Sequence, residues 1–192
     1  AAAAPWARVQ ANDPGRLHRL LDAGVEGVIC PMINNKKECE DFVSACLYPP
    51  HGTRSFGPTR AKLTDPEYFL KANDNIIKLA MIETKSGLDN LDDILSVDKL
   101  DGVFIGPNDL ALGLGRTPAN DPTDPVVVKA IEKIRMAAIA ANKKAGIFCG
   151  TAEAAQMMAA QGFHMVCPGS DLGHLMSSYR KTLQNLTTAG GA

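Results

Sequence analysis

Short apolar runs alternate with segments of helical periodicity along the whole chain. Each run predicts a buried strand, and apolar side chains at helical spacing follow each one. Asp13 before Pro14 has the pattern of an N-cap with proline at the first helical position. The strand-like runs are residues 6–9, 27–31, 76–82, 102–105, 145–149 and 165–168. This alternation predicts an α/β fold with a parallel sheet and right-handed crossovers.

Two architectures fit this order of elements, an open doubly wound sheet and a (β/α) barrel. No glycine-rich nucleotide motif follows the first strand, which favours the barrel. Because a closed barrel needs eight strands, the sequence predicts a (β/α)8 TIM barrel whose first two strands are absent from this chain. Residues 1–192 are then a single, N-terminally incomplete barrel domain. The four alanines of residues 1–4 are interpreted as a tag, a linker or poorly determined sequence.

Composition excludes several classes of function. The net charge of −1 gives no basic surface for nucleic acid. No apolar run approaches the roughly 20 residues that span a membrane, so no membrane partner is expected. The five cysteines form no CxxC pair, which argues against a zinc site and favours reduced thiols in a cytoplasmic protein.

Two carboxylates follow consecutive predicted strands. Glu83 comes after the strand 76–82, and Asp109 follows the strand 102–105 across a turn that begins at Gly106 and leads into a glycine-spaced loop. Adjacent strand ends lie about 5 Å apart in a parallel sheet. Two such carboxylates repel unless they share a cation, and a hard divalent ion such as Mg²⁺ or Mn²⁺ suits them. The alternative is that both are helix N-terminal acids stabilised by the helix dipole.

Other residues at the same predicted edge could bind an anion. Arg8 ends the first strand and could hold a carboxylate through two hydrogen bonds, or pair with a neighbouring acid. The amides of Asn108 and Asp109 form a candidate anion cradle at the turn. Arg54, in the long loop 48–65, could bind an anion at the barrel mouth, but an anchoring role in the loop is favoured. None of the four histidines is predicted at the carboxyl end of a strand, so the sequence offers no clear general base.

Six segments carry a resemblance to a known family. They are ARVQANDP, LLDAGVEGVICPMINN, YPPHGTRSFGP, IETKSGLDNLDDI, DGVFIGPNDLALGLG and VCPGSD. With them the chain resembles, from Trp6 to the last helix, the HpcH/HpaI family of metal-dependent aldolases that act on 2-oxo acids. The resemblance implies a TIM barrel of the phosphoenolpyruvate/pyruvate type. It also implies a homo-oligomer, a trimer or hexamer, in which neighbours exchange the last helix.

The resemblance also implies residue roles. Glu83 and Asp109 are similar to the metal-ligating carboxylates, and Arg8 to the arginine that grips the oxo acid and stabilises its enolate. Asp22 stands where the family has an acid that supports a catalytic histidine. The implied substrate-binding residues are Arg8, Met81, Gly106, Asn108 and Asp109. Two departures stand out: the family's catalytic histidine lies in a region this sequence lacks, and Met81 replaces a glutamine found in many members.

The activity implied is that of a carbon–carbon lyase, a class II aldolase that makes or breaks a bond through a pyruvate enolate. The expected cofactor is Mg²⁺ or Mn²⁺, with Co²⁺ as a further candidate. The expected substrates are a small 2-oxo acid, pyruvate or oxaloacetate, and an aldehyde. The alternatives are an oxaloacetate-type decarboxylase or another carbon–carbon lyase on the same site, and a non-catalytic relative that binds metal or oxo acid.

Overall fold

Six parallel strands form a single curled sheet, a half-barrel, in a computed structural model that describes residues 3–189 and the side chains of residues 3–186. The strands are β1 (Trp6–Arg8), β2 (Gly27–Cys30), β3 (Ile77–Met81), β4 (Gly102–Ile105), β5 (Lys144–Cys149) and β6 (Met165–Pro168). Each pairs with the next one in the chain. The α/β class and the parallel order are therefore confirmed. Of the four alanines at the start, the first two lie outside the described residues.

Helices follow each strand, and those that connect successive strands cover one face of the sheet. They are α1 (Pro14–Asp22), α2 (Lys36–Cys46), α3 (Ala61–Thr64), α4 (Tyr68–Asn75), α5 (Lys85–Asp89), α6 (Leu91–Leu95), α7 (Pro107–Gly113), α8 (Pro125–Ala140), α9 (Ala152–Ala160) and α10 (Asp171–Ala189). Within residues 3–189, no helix is long and apolar enough to cross a membrane.

Two apolar clusters lie on opposite faces of the sheet. The larger one fills the space between the strands and the helices. The smaller one, on the other face, is built from Ile29, Leu79, Met81 and Phe104. Arg8 pairs in register with Ile29, and side chains directly opposite in a sheet share a face, so Arg8 belongs to this second face. The register thus brings the end of β1 toward the same side as the ends of β3 and β4.

Local capping explains where the helices begin. Asp13 is the N-cap of α1, as predicted, and its side chain accepts the N–H of Arg16 at 2.8 Å. The segment after Asp109, interpreted as a loop from its glycines, is instead helix α7. Pro107 at its first position and the run Leu110–Ala111, which packs into the core, stabilise that helix despite Gly113.

The long connection after α2 is held by a buried arginine. The Arg54 side chain is 1% exposed and donates to an Asp22 carboxylate oxygen at 2.8 Å and to the Tyr68 hydroxyl at 3.1 Å. Its guanidinium also lies 4.4 Å from the centre of the Tyr48 ring. All these contacts are within the fold, so the anchoring role of Arg54 is the one the structure supports.

Candidate active site at the carboxyl ends of the strands

Glu83 lies just beyond the end of β3 and is fully buried. The N–H of Ile82 still bonds to the carbonyl of Phe104 on the next strand, at 3.0 Å, so the sheet carries Glu83 into place. The hydroxyl of Thr84 then caps α5 by accepting the N–H of Gly87 at 2.9 Å. Glu83 is therefore fixed between a strand end and a helix start.

The two oxygens of the Glu83 carboxylate have different surroundings. Oε1 accepts the backbone N–H of Met32 at 2.8 Å, whereas Oε2 is buried without a hydrogen-bond partner among the described residues. Burial raises the pKa of Glu83, the Met32 N–H opposes that shift, and the charge of Asp109 adds to it. A buried carboxylate oxygen without a partner is costly, so Oε2 calls for a positively charged group.

Gly106 is the point where the site residues meet. It follows β4 as the N-cap residue of α7. A Cβ on Gly106 would lie 2.5 Å from Oε2 of Glu83, 3.0 Å from Cε of Met81 and 3.7 Å from Oδ2 of Asp109. Both carboxylates and the Met81 side chain thus pack around one glycine, as the prediction of a shared site requires.

Arg8 completes the charged group. Its charge lowers the pKa of Glu83, so the guanidinium is within electrostatic reach of that carboxylate. The Arg8 side chain is exposed on the sheet face that also carries Met81. The Arg8 guanidinium at this edge of the sheet can therefore bind the carboxylate of a small acid.

Asn108 lies in the first turn of α7, where backbone N–H groups have no acceptor within the helix. Its side chain points to the loop between α7 and α8, where it donates to Oδ1 of Asn120 at 2.6 Å. The backbone N–H of Asn108 is thereby held at the same edge as Asp109. Its role as a substrate ligand stays a prediction.

Asp22 is not brought to this group. Helix α1 leads from the carboxyl end of β1 back to the amino end of β2, and Asp22 is its last residue. Its carboxylate pairs with Arg54, at the opposite end of the sheet from Glu83. Within this chain Asp22 therefore contacts the loop anchor and not the carboxylate site, and its support of a histidine stays a prediction.

Two features of the site were missed from the sequence. Met32, whose N–H holds Glu83, has a left-handed backbone with φ of 57°, and Asn34 bonds to both Met32 and Thr84. The second is His174, which was not predicted at the carboxyl end of a strand. Its ring in fact bonds to the carbonyl of Pro168, the last residue of β6, at 2.9 Å.

The residues present fit a hard divalent cation. Among the described residues, Oε2 of Glu83 has no hydrogen-bond partner, and a second carboxylate oxygen, Oδ2 of Asp109, lies near the same point beside Gly106. Among the described residues, no group of three or more His, Cys, Asp or Glu side chains is placed to hold a metal. A cation here would take Glu83 and Asp109 from this part of the chain and complete its coordination with water and substrate oxygens.

Comparison with known proteins shows which family the chain belongs to. Residues 1–178 match the family model described as HpcH/HpaI aldolase/citrate lyase. The chain belongs to the HpcH/HpaI aldolase/citrate lyase family. A hydroxypyruvate/pyruvate aldolase of Rhizorhabdus wittichii is 46% identical over 94% of this chain and 72% of its own length. A 5-keto-4-deoxy-D-glucarate aldolase of Shigella dysenteriae is 38% identical over 94% of this chain and 71% of its own length.

Solved HpcH/HpaI structures share the fold. An HpcH/HpaI aldolase from Desulfitobacterium hafniense superposes with a TM-score of 0.87 at 27% identity, covering 97% of this chain and 73% of that one. The family resemblance and the TIM-barrel-like fold are thus confirmed. Since the relatives named above are aldolases, the prediction of an enzyme of the carbon–carbon lyase class is also confirmed.

Proposed function

We propose that this HpcH/HpaI protein is a divalent-metal-dependent aldolase that acts on a small 2-oxo acid and an aldehyde. The observation that carries the proposal is the unpartnered, buried Oε2 of Glu83, which faces Asp109 across Gly106 with Arg8 in reach. The R. wittichii relative is named for hydroxypyruvate and pyruvate, so these two acids are the first donors to test. Mg²⁺ and Mn²⁺ are the proposed cations.

The residues of the site would have different roles in the reaction. Glu83 and Asp109 would hold the cation, which supplies a Lewis acid that stabilises negative charge on the 2-oxo oxygen. Arg8 would bind the acid through its guanidinium and orient the reacting carbon. Met81 would close the apolar wall beneath the substrate and exclude water. In cleavage of a 4-hydroxy-2-oxo acid, the 4-hydroxyl proton goes to a base, the C3–C4 bond breaks, and C3 is then protonated.

The base is not among the residues assembled at this edge. Among the described histidines, the ring of His174 lies at a strand's carboxyl end, where it bonds to the carbonyl of Pro168 in β6. We also propose a cytoplasmic location, because the five cysteines are free thiols.

Chelation tests the proposal directly. Pyruvate release from a 4-hydroxy-2-oxo acid should fall by about 100-fold or more after treatment with EDTA and dialysis, and Mg²⁺ or Mn²⁺ should restore it. Oxaloacetate supplied alone, with decarboxylation followed, separates the decarboxylase alternative. Activity that survives thorough chelation unchanged would eliminate the metal role.

Helix α10 supports the expectation of a homo-oligomer. It carries an exposed apolar stripe that includes Leu172, Leu175, Tyr179 and Leu186, which are 53–64% exposed. Such a stripe on a water-facing helix is typical of an interaction surface, and we propose that a second copy of the chain covers it. Leu175→Glu should reduce the mass measured by light scattering, whereas Ser177→Glu, the same charge on the opposite side of the helix, should not. Equal masses for the two variants would reject the proposal that a second copy of the chain covers this stripe.

A further inference from the structure

The turn that follows β2, residues 31–35, is held in an unusual backbone conformation. Met32 has φ of 57°, a left-handed conformation that non-glycine residues rarely adopt. Its side chain is 52% exposed, so apolar packing does not hold it. Its backbone contacts do: the N–H donates to Oε1 of Glu83 at 2.8 Å, and the carbonyl accepts from the Asn34 side chain at 2.7 Å.

Asn34 connects this turn to the segment that carries Glu83. Its Oδ1 accepts the hydroxyl of Thr84, the residue after Glu83, at 2.5 Å. Its backbone carbonyl accepts from the Asn90 side chain at 2.8 Å, and its backbone N–H donates to Glu38 at 2.7 Å. The Asn34 side chain therefore bonds both to Met32, whose N–H holds Glu83, and to Thr84, which follows Glu83 in the chain.

The two segments are also in close backbone contact. A Cβ on Gly87, in the first turn of α5, would lie 2.7 Å from the carbonyl oxygen of Ile33. The start of α5 is thus seated against the turn, and the Thr84 hydroxyl that caps α5 is the same one that binds Asn34. A shift of either segment would change the other.

We propose that Asn34 is a positioning residue that sets the rotation of the Glu83 carboxylate. It stabilises the left-handed turn that aims the Met32 N–H at Oε1, and through Thr84 it fixes the backbone beside Glu83. Oε2 is then left free and directed at Gly106 and Asp109. The inference rests on the proposed function, because the rotation of the Glu83 carboxylate matters only if that carboxylate is a cation ligand.

The expected consequence is specific to cation binding. Without the Asn34 amide, Met32 can leave its left-handed conformation and its N–H no longer fixes Oε1. The carboxylate then has to be ordered when the cation binds, which lowers affinity. Hydrogen bonds that orient metal ligands typically change metal affinity by about 10–100-fold when removed.

Titration of the whole protein with Mn²⁺, with free Mn²⁺ measured by electron paramagnetic resonance, tests the proposal. Asn34→Ala should weaken Mn²⁺ binding by about tenfold or more, and Thr84→Val should act in the same direction. Thr84→Ser retains the hydroxyl and should bind within about twofold of the wild type. Asn73→Ala is the matched control, since Asn73 accepts the N–H of Tyr48 at 2.7 Å and donates to its carbonyl at 3.2 Å, on the far side of the sheet.

The outcomes separate this inference from the proposed function. A wild-type protein without saturable Mn²⁺ binding would overturn both. Saturable wild-type binding with an unchanged affinity for Asn34→Ala would overturn the positioning role alone, as would an equal loss in Asn73→Ala. Should Asn34→Ala fail to fold, the Thr84 pair decides: equal affinities for Thr84→Val and Thr84→Ser would reject the proposal.

Discussion

Replacing Arg8 by alanine is expected to lower kcat/KM for pyruvate release by about 100-fold or more, while Mn²⁺ affinity changes by no more than about threefold. The guanidinium lies on the sheet face of the site and acts on Glu83 only through its charge. Its removal therefore takes away a group that binds the acid and stabilises developing negative charge, and leaves the cation ligands in place. Steady-state kinetics with a 4-hydroxy-2-oxo acid, together with the Mn²⁺ titration, measure both quantities.

Two further variants make the Arg8 result interpretable. Arg8→Lys retains the positive charge but loses the planar fork, so it should recover only part of the lost rate. Arg19, on the exposed face of helix α1, lines a surface groove together with Arg8. Arg19→Ala removes an equal charge from this groove and should leave kcat/KM unchanged. An Arg8→Ala enzyme with wild-type kcat/KM would remove Arg8 from the mechanism.

The strands and the paired carboxylates could be predicted from the sequence because both depend on local pattern and chain order. Apolar runs mark the strands, parallel order brings their carboxyl ends to one edge, and Glu83 and Asp109 each follow a run. The spacing alone left a shared cation and two separate helix N-terminal acids both open. In the structure Asp109 lies in the first turn of α7, and both carboxylates pack around Gly106, where Oε2 of Glu83 has no hydrogen-bond partner among the described residues. The shared cation therefore stays a proposal.

The parts that escaped sequence analysis depend on long-range contacts. The bond between Met32 and Glu83 joins residues 51 positions apart, and no glycine or asparagine marks the left-handed backbone at Met32. Asn34 and Asn35 both precede α2, and the side chain of either could cap a helix there. Asn35 provides that cap, and Asn34 instead bonds to Thr84, 50 residues away. Local propensity cannot distinguish these two roles, since both use the same side-chain amide.

Replacing Gly106 by alanine is expected to weaken Mn²⁺ binding by about 10–100-fold with little loss of fold. A methyl group there would lie 2.5 Å from Oε2 of Glu83, closer than carbon and oxygen can approach. Glu83 cannot retreat easily, because it is fully buried and its other oxygen is bonded to Met32. The carboxylate must therefore rotate away from Asp109, and the two ligands no longer share a cation.

The backbone makes this substitution a clean test of the carboxylate pair. Gly106 has φ of −97°, which alanine adopts without backbone strain, so the cost to stability comes from a poorer N-cap, about 1 kcal/mol, and from the displacement of the Glu83 carboxylate. Gly15→Ala, in the first turn of α1, is the matched control, because its methyl group would meet only Oδ1 of Asp13, at 3.3 Å. Thermal unfolding without metal checks that both variants are folded, while Mn²⁺ affinity and pyruvate release should fall only in Gly106→Ala. Equal Mn²⁺ affinity in both would mean that Glu83 does not hold the cation through Oε2.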